Sequence, residues 1–99
     1  MEKEEKKSVE FELIKVSKHS DINKVAGAIA AMFKEKGYAK VRAIGVLALN
    51  QAIKSSIVAR SMLASEENVG LIPSFSTVEI DGKNTSAIDI DVIKIYGGK

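Results

Sequence analysis

Few residues in this chain could do covalent chemistry, and they are scattered. His19 is the single histidine and cysteine is absent. Disulfides, thiolate metal centres and two-histidine metal sites are therefore excluded within one chain. A general base needs a positioned partner, and "SKHSD" around His19 offers none. Asp89 and Asp91 fall two residues apart, as an acid/base pair or a Ca²⁺ site would require. The period-2 geometry of a strand already predicts that spacing, as one solvated face. Ser55 and Ser56 have no recognisable base nearby. A phosphate loop, a dinucleotide-binding glycine fingerprint and a nucleophile elbow are all missing. The expectation is a protein that is not an enzyme, with no cofactor and no metal.

A binding geometry is easier to assemble. "VSKHSD" and "AIGVLALN" read as strand-to-helix junctions, and helix N-termini present unpaired N–H groups and positive dipole ends. Lys18, Lys24 and Arg42 lie at or near these junctions, with Lys54 further into the second helix. If β-α-β topology makes the junctions neighbours, they form a concave basic rim. Asn23, Asn50 and Gln51 suit sugar–phosphate contacts. Tyr38 is the only aromatic residue expected near the rim, which disfavours base stacking on the sheet. The ordinary reading of each residue alone is solvated surface or local pairing.

Charge is uneven along the 99 residues despite a formal net of +2. Residues 1–12 carry five glutamates against three lysines. Residues 13–65 carry nine lysines or arginines against Asp21 and Glu35, and residues 66–99 six acids against three lysines. A basic middle segment is the electrostatic footprint of a polyanion partner; the plain alternative is basic helices over an acidic sheet face. The 45% apolar and 28% charged fractions are those of an ordinary globular domain. Apolar runs fall well short of a membrane span, and "MEKEEKK" is not followed by the apolar stretch of a signal peptide. A cytoplasmic location is expected.

The elements that must position these residues are legible as periodicities. A charged, disordered tail is expected over residues 1–8, and one domain over 9–96. "VEFELIKVS" (9–17) is a strand. Ser20 or Asp21 caps a helix whose Ile22, Val25, Ala26, Ile29 and Phe33 make one apolar stripe, ending at Gly37. Gly27 among alanines suggests close approach of a neighbouring helix. "YAKVRAIGV" (38–46) is a second strand, and residues 47–64 a second helix with its core stripe through Leu49, Ala52, Ile53, Ser56, Ala59 and Leu63. Leu47, Ile57 and Val58 fall off that stripe, and a helix apolar nearly all round is covered twice. The second cover is expected to be another subunit. A loop over 65–68 leads to a third strand (69–80), at an edge or bulged because of Pro73. "DGKN" is a tight hairpin turn into a fourth strand (85–98) with Asp89 and Asp91 facing water. The order β-α-β-α-β-β predicts an α+β two-layer sandwich, with both helices on one face of a four-stranded mixed sheet.

The segments "KVS…VAGAIA", "AIGVLALNQAIK", "IPSF" and "IDGKNTSAIDI" closely resemble the stage V sporulation protein S family of small bacterial proteins, over about residues 12–93. That family is in turn similar to the Alba group of dimeric nucleic-acid-binding proteins. The resemblance implies a regulator linked to sporulation or cell development. It also implies nucleic-acid contacts at Lys18, Lys24, Arg42, Asn50 and Gln51 in a dimeric protein, with DNA or RNA as partner and no membrane. The reading of the rim adds Lys54 to that surface, and the off-stripe residues Leu47, Ile57 and Val58 of the second helix are the expected homodimer contacts. An adaptor that binds only protein is the alternative. Two departures stand out: Ile44 occupies the position of an Alba arginine, and a short "DGKN" turn stands where Alba proteins extend a long basic arm.

Overall fold

A computed structural model describes residues 13–63 and 68–95. The expected tail over 1–8, the first residues of the first strand, most of the 65–68 loop and the end of the chain lie outside the described residues. The elements are β1 (Ile14–Val16), α1 (Ile22–Lys36), β2 (Tyr38–Ala43), α2 (Val46–Ser61), β3 (Val69–Ile80) and β4 (Lys83–Lys94). The sheet runs β1-β2-β4-β3. β1 is parallel to β2, and β4 is antiparallel to both β2 and β3. This is the predicted β-α-β-α-β-β order and mixed sheet.

The alternation of each strand decides which face is covered. Ile14 and Val16 of β1 share a side with Val41 and Ala43 of β2, and these with Ile90 and Ile88 of β4. Val16, Val41, Ala43 and Ile90 are buried in one core with Ala26, Ile29 and Phe33 of α1 and with Ala48, Ala52 and Ala59 of α2. Both helices therefore cover the same face. The opposite face carries Lys15, Lys40, Arg42, Asp89 and Asp91.

The first helix forms where periodicity puts it. The Asp21 carboxylate accepts from the backbone N–H of Asn23 at 2.9 Å and of Lys24 at 3.4 Å, and Gly37 closes the helix by donating to the Phe33 carbonyl at 2.8 Å. Val25, Ala26, Ile29, Ala30 and Phe33 are buried. Gly27 does not mark a close approach: a Cβ there would meet nothing within 4 Å.

The second helix is rotated from its expected setting. Its buried residues are Ala48, Ala52, Ser55, Ser56 and Ala59, while Leu49, Ile53 and Leu63 are only half-buried at the margin of the core. Small side chains let α2 lie close to α1, so the tightest contact selects size rather than hydrophobicity. Ser56 satisfies its hydroxyl by donating to the Ala52 carbonyl at 2.9 Å.

The last two strands form a long hairpin. Asp81 (φ 52°) and Gly82 (φ 80°) both take positive φ, the signature of a type I′ turn whose twist matches that of the strands. Five residue pairs, from Ser76–Ala87 to Ile80–Lys83, continue beyond the last β2 pair, Ala43–Ile88. The tight turn thus caps an extended arm, and the short "DGKN" segment does not mean that the arm is short. Pro73 lies on β3 at the sheet edge, where a residue without an N–H is tolerated.

Candidate nucleic-acid interface

Parallel pairing of β1 with β2 sets Val16 opposite Ala43, so both chains leave the sheet at the same end, one toward α1 and one toward α2. The two junctions are neighbours, as the topology demands. They bound a groove of about 780 Å³ lined by residues of β1, of both junctions and of the hairpin arm. Lys18 and Arg42 line it as expected, joined by Lys15, which stands opposite Arg42 in the ladder.

The two helix N-termini are not equivalent. At α1 the Asp21 carboxylate already occupies the first-turn N–H groups, so that end is neutralised rather than open to an anion. At α2 the cap is Gly45, with no side-chain hydrogen bond to the first turn. Its φ of 93° and ψ of 157° fall in a region that is essentially glycine-only. A residue without Cβ is needed there to turn the strand directly into the helix. The same choice leaves the α2 N-terminus uncapped by any side chain, facing the groove that Gly45 lines.

Arg42 is not a free phosphate clamp. Its Nε donates to Asp89 Oδ1 at 2.8 Å and its Nη2 to Asp89 Oδ2 at 3.0 Å. The Ser76 hydroxyl donates to Asp89 Oδ1 at 3.1 Å. Asp89 retains only 8% exposure, which corrects the expectation that it sits in water; the arginine fork replaces the lost hydration. These bonds hold the Asp89 carboxyl below the usual carboxylate range and push Arg42 above its ordinary value, against desolvation in both cases. Lys40 Nζ stands 3.6 Å from Asp91 Oδ1 in a looser second pair.

The remaining expected residues divide by role. Gln51 is half-buried and its amide donates to the Ser20 carbonyl at 2.9 Å, so it ties α2 to the β1–α1 junction. Ser17 and Ser20 brace that junction: the Ser17 N–H donates to Ser20 Oγ at 2.9 Å and the His19 N–H to Ser17 Oγ at 3.2 Å. Lys24, Asn50 and Lys54 are exposed and do not line the groove. Leu47, Asn50, Lys54 and Ile57 recur at i, i+3, i+7 and i+10 and are all exposed, one continuous stripe of α2. Val58 is half-buried against the chain's own core. Tyr38 starts β2, opposite Ile93, at the end away from the junctions. Sequence reasoning missed Lys15, Val78, Glu79 and Ile80; alternation could have placed Lys15 beside Arg42, but nothing local brings the arm to the groove.

Residues 12–95 match the profile of the Stage V sporulation protein S (SpoVS) family. The chain belongs to that family. Membership implies a sporulation-related role. Among solved structures, the fold is similar to Alba from Thermoplasma volcanium, with a TM-score of 0.58 at 15% identity, covering 82% of this chain and 98% of that one. At that identity the likeness shows the fold alone. None of the helices is long and apolar enough to cross a membrane, among the described residues.

Proposed function

We propose that this member of the stage V sporulation protein S family is a non-enzymatic, homodimeric nucleic-acid-binding regulator that grips phosphates in the cytoplasm. The observation that carries the reading is the pairing of Val16 with Ala43, which sets two strand-to-helix junctions side by side and gathers Lys15, Lys18 and Arg42 around one groove. Lys18 supplies the principal charge, and Lys24 and Lys54 extend it over exposed helix surface with Asn50 in support. Arg42 acts mainly by holding Asp89, and Gln51 by holding the junction. Phosphate contact by lysines gives affinity without base readout.

The dimer reading rests on unpartnered apolar surface. Ile57 on α2 is exposed, as are Leu71 and Phe75 on β3, while Leu47 lines the basic groove. Leu49, Ile53, Leu71 and Pro73 line a shallow apolar groove of about 300 Å³ between the helix and the edge strand. A second copy covering this face shields Phe75, which is otherwise 81% exposed. The same apolar surface favours the second reading, an adaptor that docks another protein there and uses its basic charge only to steer encounter.

Fluorescence anisotropy with labelled duplex DNA, single-stranded DNA and duplex RNA at two salt concentrations tests the first reading. Binding that weakens with salt by a slope of about −0.9 per neutralised phosphate on duplex DNA is expected. No binding to any of the three at low salt discards it in favour of the adaptor.

A further inference from the structure

We infer that Gln51 is a positioning residue for the phosphate grip: it acts only through Lys18, by fixing the turn that presents that lysine. The inference rests on the polyanion reading above. Lys18 and His19 are exposed at the tip of a turn over residues 17–20, and surface turns of this kind are ordinarily mobile. This one is closely tied. The Ser20 N–H donates to the Ser17 carbonyl at 3.1 Å, the Ser17 N–H to Ser20 Oγ at 2.9 Å and the His19 N–H to Ser17 Oγ at 3.2 Å. Those bonds are local and set the shape of the turn. A further bond comes from outside it: half-buried Gln51 donates its amide to the Ser20 carbonyl at 2.9 Å, across 31 residues of sequence.

Placement is a different matter from shape. The turn hangs between β1, a three-residue strand at the sheet edge, and the start of α1. Lys18 stands on one side of the basic groove and Gly45 to Ala48 on the other. Gln51 lies one turn further along α2 than Leu47, so its bond fixes the distance between the two sides. The same geometry argues against direct contact by Gln51. Its amide is engaged inside the protein, and it does not line the groove. The N–H groups of Ser17, His19 and Ser20 are likewise taken up within the turn. The Lys18 ammonium is therefore what the turn offers a phosphate. A lysine on a fixed turn binds without the loss of backbone freedom that a mobile one must undergo. Freed from Gln51, Lys18 keeps its charge but loses its place.

Anisotropy titrations of duplex DNA over a salt series, with wild type, Gln51→Met, Lys18→Ala and the double variant, test this. Methionine keeps the length of glutamine and removes the donor. Gln51→Met should bind about three- to tenfold more weakly than wild type, the loss expected for one ordinary hydrogen bond. Its salt slope should stay unchanged, because every lysine remains. Lys18→Ala should reduce the magnitude of that slope by about one unit. The double variant should bind no more weakly than Lys18→Ala alone, since nothing is left for Gln51 to position. Additive losses overturn the inference, because a direct contact by Gln51 or a general loss of stability would add. Backbone NMR relaxation supplies a readout that needs no ligand. In Gln51→Met the order parameters of Lys18 and His19 should fall from the rigid range, about 0.85, toward about 0.6; values equal to wild type overturn the inference. Wild type that binds while Gln51→Met binds equally well removes only the role of Gln51. No binding by wild type at low salt removes the polyanion reading and this role with it. Should Gln51→Met fail to fold, Ser20→Ala, which takes away the acceptor for the Ser17 N–H, is held to the same outcomes.

Discussion

Arg42 and Asp89 face each other across β2 and β4, and the guanidinium meets the carboxylate with two bonds, at 2.8 and 3.0 Å, to separate oxygens. The pair lies on the sheet face the helices do not cover, yet Asp89 is almost fully shielded. A fork-to-fork contact of this kind is stronger than a point-charge pair and holds the root of the hairpin arm against the centre of the sheet.

Removing either partner should therefore cost stability through the orphaned charge that remains. Arg42→Leu and Asp89→Leu are each expected to lower unfolding free energy by about 1–3 kcal/mol. The double variant should lose less than the sum. Urea denaturation of the four proteins measures this; strict additivity would mean that the contact carries no coupling.

The same pair predicts an acid limb. The Asp89 carboxyl titrates below its ordinary value in the folded protein, so the unfolded chain takes up the proton first as pH falls. Its contribution to stability is full above the unfolded carboxylate range, near pH 4, and is lost progressively as pH drops through the folded value. Denaturation midpoints at pH 7 and near pH 3 should show a smaller acid loss in Asp89→Asn than in wild type.

Two glycines should respond in opposite senses to alanine. Gly45 sits at φ 93°, where a Cβ is strained, and Gly45→Ala should destabilise by about 1–3 kcal/mol. Gly27 is inside α1 with open space around it, and Gly27→Ala should stabilise by up to about 1 kcal/mol through helix propensity. Thermal melts of both variants give the signs directly.

For the dimer, Phe75→Asp and Ile57→Asp change exposed side chains and should yield a folded monomer in sedimentation velocity. Val58→Asp should instead unfold the chain, because Val58 packs against its own core. Dimers that persist in both of the first two variants would remove the proposed interface.

For polyanion binding, Lys18→Glu and Lys54→Glu should each weaken duplex binding and reduce the magnitude of the salt slope by about one unit. Arg42→Leu should change that slope less than either, since its guanidinium is already engaged. Anisotropy titrations over a salt series separate the three.

Local chemistry was enough to define most of the architecture. Ile22 to Phe33 at helical spacing, Asp21 before them and Gly37 after them specify α1 without reference to the rest of the chain. Asp81-Gly82 specifies its turn, and the alternation of Ile88, Ile90 and Val92 specifies which side of β4 is buried. These are short-range properties, settled by sterics and by hydrogen bonds a few residues long. The rotation of α2 was not legible, because its buried face is chosen by how closely alanines and serines can approach α1, while the larger Leu49 and Ile53 sit at the margin. Nor could the sequence show that Arg42 is engaged rather than free, since its partner lies 47 residues away. The groove depends on the same kind of information: strand register brings Lys15 to Arg42, and a hairpin longer than the strand beside it carries Val78 and Glu79 to a junction more than thirty residues earlier. Residue types set which groups this protein could offer a ligand; only the register and reach of the sheet decided which of them share a site.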